Sequence, residues 1–92
     1  MLTLLPMPAI KWNLVKSERL KKVRGASFEE ILGAKLIAVK KHHNWEGQNI
    51  LLFEHRGYIW VVPYVMEGED LFLKTLYPSR KYTKLHKRGE TL

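Results

Sequence analysis

The chain contains no cysteine, which excludes disulfides, zinc–thiolate centres and thiol catalysis together. A reducing, cytoplasmic setting suits such a chain. It also has no apolar run near the ~20 residues needed to span a bilayer, so no membrane role is expected. Acidic residues are scarce: nine Asp and Glu stand against 16 Lys and Arg, a formal charge of +7 with the histidines neutral. That imbalance suits a polyanionic partner such as nucleic acid. There is no glycine-rich phosphate loop, no Ser-His-Asp order, no paired-carboxylate arrangement and no internal repeat. His42, His43 and His55 do not read as a metal site. Adjacent histidines are poorly placed to share an ion, and no Asp or Glu stands at ligand spacing. No metal and no cofactor are expected.

What remains is a chain of 92 residues with 46% apolar content, enough for a single domain around one small core. Residues 1–9 are apolar, contain two prolines and lack a basic start, so they read as a flexible arm or an extra strand rather than a signal peptide. Residues 9–12 fit a short strand. Asn13 is placed as an N-cap, residues 14–24 as a helix and Gly25 as its C′ residue. Leu20 and Val23 form that helix's thin apolar stripe, and Glu18 can pair with Lys21 or Lys22. Ser27 and Glu30 make a capping box over a second helix at 27–33. Lys35–Lys41 fits a strand or a helix extension. Residues 42–49 have loop chemistry, with Trp45 a candidate base platform. Residues 48–55, 58–65 and 71–77 read as strands joined by short, glycine-bearing connections, hence antiparallel neighbours. The middle one is apolar on both faces and belongs at the centre of the sheet, with Trp60 in the core. The expected fold class is α+β: two N-terminal helices, an antiparallel meander of three to four strands, a short C-terminal helix and a disordered tail at 88–92.

Residues 71–88 hold the richest chemistry. Pro78 suits the first turn of a helix, having a preset φ and no N–H to lose. A basic helix follows from Arg80 to Arg88. Tyr77, Ser79, Arg80 and Lys81 therefore gather where a strand end meets a helix N-terminus, a place that favours phosphate. Arg80 is the candidate for stabilising charge on a phosphoryl group, because guanidinium stays protonated. Lys74 or Lys81 is a candidate amine for proton transfer. His86 is another on chemical grounds, although six residues from Arg80 is not a same-face spacing. Tyr77 and Tyr82 are candidates for stacking on bases, and Lys22, Arg24 and Arg56 for contacts to backbone phosphates. Each has a plainer reading, as a solvated basic face or a core aromatic.

The run Ile10-Lys11-Trp12-Asn13, then Lys16, then Arg24-Gly25-Ala26-Ser27-Phe28-Glu29-Glu30 resembles the N-terminal signature of BrnT-type toxins. Residues 73–81 resemble that family's closing strand and helix. Two positions depart from the pattern: the family's histidine before the glycine is Arg24 here, and its Ser-Ala-Arg-Arg is Pro78-Ser79-Arg80-Lys81. The resemblance implies a RelE-like fold in a type II toxin–antitoxin module. It also implies ribonuclease-type inhibition of translation, RNA as substrate, and neutralisation by a cognate ribbon-helix-helix antitoxin in a toxin–antitoxin heterotetramer. Two other activities fit the same chain: a non-catalytic module that grips nucleic acid and antitoxin, or a gyrase-poisoning toxin of the ParE type.

Overall fold

Two short helices open the chain, each started by the cap its sequence offers. In the computed structural model, which describes residues 9–41 and 49–92, Asn13 accepts the N–H of Lys16 at 2.9 Å and begins α1 (Leu14–Arg24). Gly25 ends it at φ 92°, a left-handed conformation that costs glycine little. Ser27 and Glu30 then form the reciprocal capping box of α2 (Phe28–Leu32). His42, His43, Trp45 and nearly all of the arm expected at residues 1–9 lie outside the described residues.

The strands are β1 (Ile10–Lys11), β2 (Lys35–Lys41), β3 (Asn49–His55), β4 (Tyr58–Glu67), β5 (Asp70–Leu73) and β6 (Tyr77–Ser79), followed by α3 (Arg80–Lys87). They form one six-stranded sheet in the order β1-β5-β4-β3-β2, with β6 also paired to β4. The α+β class holds, but the sheet is larger than a three- or four-stranded meander and is mixed. The short β1 runs parallel to β5. The undecided segment 35–41 is a strand, at the edge.

Alternation along β3 and β4 sorts side chains onto two faces. Leu51, Phe53, Trp60, Val62 and Tyr64 join Leu20, Phe28 and Ile31 in one core under α1 and α2. Ile50, Leu52, Ile59 and Val61 form a second cluster, against which Tyr82 and Leu92 pack. β4 is thus covered on both sides, as its two apolar faces require. Phe28 and Ile31 are the helical anchors, and full burial of such side chains contributes about 1.5–3 kcal/mol each. In α1 the buried pair is Ser17 and Leu20 rather than Leu20 and Val23, and Val23 stays exposed. Lys21 pairs with Glu30 at 2.7 Å, across the helices, instead of with Glu18.

The C-terminal strand differs most from expectation. Residues 71–77 do not form one ribbon. β5 and β6 lie in the same lane beside β4, but residues 74–76 bulge out between them, three residues facing two, Val62 and Pro63. The Lys74 N–H still reaches the Pro63 carbonyl at 2.9 Å. The excursion drops Leu76 wholly into the first core, which offsets the lost ladder pairing. Pro78 is consequently a strand residue opposite Trp60, and Ser79 caps the helix. Beyond α3, the backbone N–H groups of Arg88, Gly89 and Glu90 bond back to helix carbonyls.

Candidate nucleic-acid interface

The hairpin between β3 and β4 and the first turns of α3 meet around Tyr58. Arg56 and Gly57 are the two central residues of that hairpin, at φ 54° and 79°. Positive φ at both positions marks the turn type whose twist matches the strands. Glycine adopts it freely; for arginine it is an uncommon, mildly strained conformation. α3 is fixed against β4 by one side chain: the buried Thr83 hydroxyl accepts the Ile59 N–H at 2.8 Å and donates to the Ser79 carbonyl at 2.6 Å. Ser79 in turn caps the Tyr82 N–H at 3.1 Å. These bonds set where Arg80 sits.

Two adjoining cavities result. The first, about 340 Å³, is lined by His55, Arg56, Tyr58, Trp60, Pro78 and Arg80. The second, about 310 Å³, is lined by Tyr58, Arg80, Thr83, Lys84 and Lys87. Arg80, Lys84 and Lys87 follow the i, i+4, i+7 spacing of one helix face. Among the described residues, none of Arg56, Arg80, Lys84 and Lys87 takes part in an ion pair. Four free cations around one hollow are an electrostatic footprint for phosphates. The rings of His55 and Trp60 meet edge-on, with centroids 6.2 Å apart. His55 Nε2 and Trp60 Nε1 are both covered and have no hydrogen-bond partner among the described residues. A buried polar group left unmet costs about 1–3 kcal/mol.

Of the residues singled out from the sequence, Arg80 and Arg56 are brought together here, and the others line neither cavity. Arg24 Nη1 donates to Thr75 Oγ1 at 3.0 Å and to the Leu76 carbonyl at 2.6 Å, so it clasps the bulge to the end of α1. Lys22 projects from α1, exposed. Lys74 lies with Nζ 5.4 Å over the Phe72 ring. Tyr77 pairs with Val61, on the other face of the sheet from Trp60 and Pro78. Tyr82 packs on the second core and carries Lys40 and Lys81 against its ring, at 5.2 and 5.6 Å. His86 Nε2 sits 2.6 Å from Glu54 Oε2, on the α3 face of the sheet. His55, Tyr58, Trp60, Lys84 and Lys87 were not singled out as site residues. Only the helical spacing of the lysines could have pointed to them.

Among the described residues no three His, Asp or Glu side chains converge as metal ligands, and no helix is long and apolar enough to cross a membrane. No protein-family model and no curated protein matches the chain. Among solved structures, the crystal structure of the ribonuclease toxin BrnT of Brucella abortus is similar. It is 20% identical, with 80% of this chain and 97% of that one covered and a TM-score of 0.48.

Proposed function

We propose that this chain is the toxin of a toxin–antitoxin module and cuts single-stranded RNA in the hollow around Tyr58, without a metal. The observation that carries the reading is the shared cavity of two guanidinium groups and an imidazole, Arg56, Arg80 and His55. The N-terminal motifs supply the toxin class and, with it, a ribbon-helix-helix antitoxin as partner. Metal-free cleavage proceeds by attack of a 2′-hydroxyl on the adjacent phosphate. It needs a proton acceptor, charge stabilisation at the phosphoryl oxygens and a proton donor to the 5′-oxygen. Arg80 and Arg56 meet the charge that develops. His55 is the imidazole that lines the cavity and is assigned the proton transfer, which requires its ring to turn since Nε2 is covered. Lys84 and Lys87 hold neighbouring phosphates. Lys74, Lys81 and His86 have no part in this arrangement.

Purified protein should cleave RNA in the presence of a chelator. Arg80→Ala should lower the rate by about 10²–10³-fold, the usual loss for one preorganised charge stabiliser, with an unchanged circular dichroism spectrum. Undiminished cleavage by the folded variant would remove Arg80 from the mechanism.

One observation favours a second reading, a binding module without catalysis. Among the described residues, the imidazole that has a carboxylate partner is His86, with Glu54, and it lies across the sheet from the cavity. His55 has no such orienting group among the described residues. RNA that stays whole while binding weakens steeply with salt would select this reading.

A further inference from the structure

A phosphate site does not account for the whole of the first cavity. Arg56 and Arg80 supply its charge, but the rest of its wall is rings: imidazole, phenol, indole and pyrrolidine from His55, Tyr58, Trp60 and Pro78. Building on the RNA reading above, we infer that this cavity is a recognition pocket for one unpaired guanine, with the attached phosphate held at the guanidinium rim.

Size is the first argument. A volume of about 340 Å³ stands at the small end of the ~300–1,000 Å³ usual for small-molecule sites, which suits one base rather than a run of nucleotides. Hydrogen bonding is the second. Trp60 is 7% exposed, lines the cavity, and its indole N–H has no partner among the described residues; His55 Nε2 is in the same state. Buried polar groups almost always find a partner, and an occupant of the pocket supplies it. Both nitrogens are covered in the free chain, and base binding requires a ring rotation, of the kind common on binding, to bring them to the opening.

Indole can only donate, and guanidinium can only donate, while the imidazole and the phenol can take either role. The indole and guanidinium part of the wall therefore calls for acceptors. Guanine presents two on one edge, O6 and N7, where adenine sets its N6 donor beside N7. The flat faces of Tyr58 and Pro78 complete a slot of the kind that takes unpaired RNA bases, which stack on rings and are read at their edges.

The test is calorimetric titration of the wild-type chain with GMP, AMP and ribose 5-phosphate. ¹⁵N NMR of the indole N–H groups runs alongside, with Trp60 assigned by elimination from Trp12→Phe and Trp45→Phe. GMP should bind about tenfold or more tightly than either other ligand. The Trp60 resonance should move with GMP and stay still with ribose 5-phosphate. Trp60→Phe should bring GMP down to the level of ribose 5-phosphate, while Arg80→Ala weakens all three ligands alike. GMP binding no tighter than AMP or ribose 5-phosphate, or a Trp60 resonance unmoved in the wild-type chain, overturns the pocket even if RNA is cleaved. A GMP preference in protein that leaves RNA whole would instead sink the nuclease reading and support the pocket.

Discussion

The helical corner at α1–α2 and the hollow at α3 each combine an indole with basic side chains, but only the corner supplies carboxylates to meet them. In the corner every polar group of consequence is met. Glu29 accepts from Trp12 Nε1 at 3.0 Å and from the Ser17 hydroxyl at 2.6 Å, and that hydroxyl accepts the Phe28 N–H at 2.9 Å. These bonds, the one from Ser17 above all, hold the Glu29 carboxyl below the usual range. Lys21 and Glu30 close the edge. In the hollow, four cations stand outside every ion pair among the described residues and two ring nitrogens are unmet. A region that serves stability satisfies itself. One that serves a ligand leaves its bonds for the ligand to complete.

Three variants sharpen this contrast. Phe28→Ala should act hardest, costing about 3–5 kcal/mol by cavity formation, a large share of the stability of any small domain. Its urea midpoint should collapse and RNA binding should go with it; an unmoved midpoint would show that the corner is not the anchor. Ser17→Ala should cost about 1–3 kcal/mol, because Phe28 loses its acceptor and Glu29 its principal donor. Folded variant should bind RNA as before. The part resting on Glu29 is present above the ordinary carboxylate range and lost as pH falls through its lowered pKa. The gap to wild type in melting temperature should therefore narrow in acid, and a gap of constant width would separate Ser17 from Glu29. Smallest in stability is the pair Lys84→Ala with Lys87→Ala, expected within about 0.5 kcal/mol of wild type. Its signature lies in binding: the slope of log K against log salt should flatten by about 0.7 for each contact to single-stranded RNA that is lost. An unchanged slope would move the RNA path away from α3.

Local signals carried well from sequence to structure. Asn13, Gly25 and the Ser27–Glu30 box are decided within a few residues, so the bounds of α1 and α2 were legible. The double-sided apolarity of β4 likewise fixed its central place. Features that depend on distant pairing were not. Nothing near residue 24 tells that Arg24 will find the Leu76 carbonyl 52 positions on, so it read as a free cation. Val23 looked like core because spacing alone cannot say which flank of a helix the sheet will meet. Arg56 and Arg80 were both singled out, but their meeting, and the entry of His55 and Trp60 between them, follows from strand register and from the bulge. Those are properties of the assembled sheet.

That bulge sets a count the pocket depends on. Were the chain to keep its length but pair straight on from Tyr64↔Leu73, Tyr77 would fall opposite Trp60 and Pro78 would turn to the far face. Thr83 would lose its hold on Ile59, and Arg80 would start its helix one step out of line with the hairpin. The one unmatched residue of the bulge is thus what keeps strand, helix and hairpin in step around the recess.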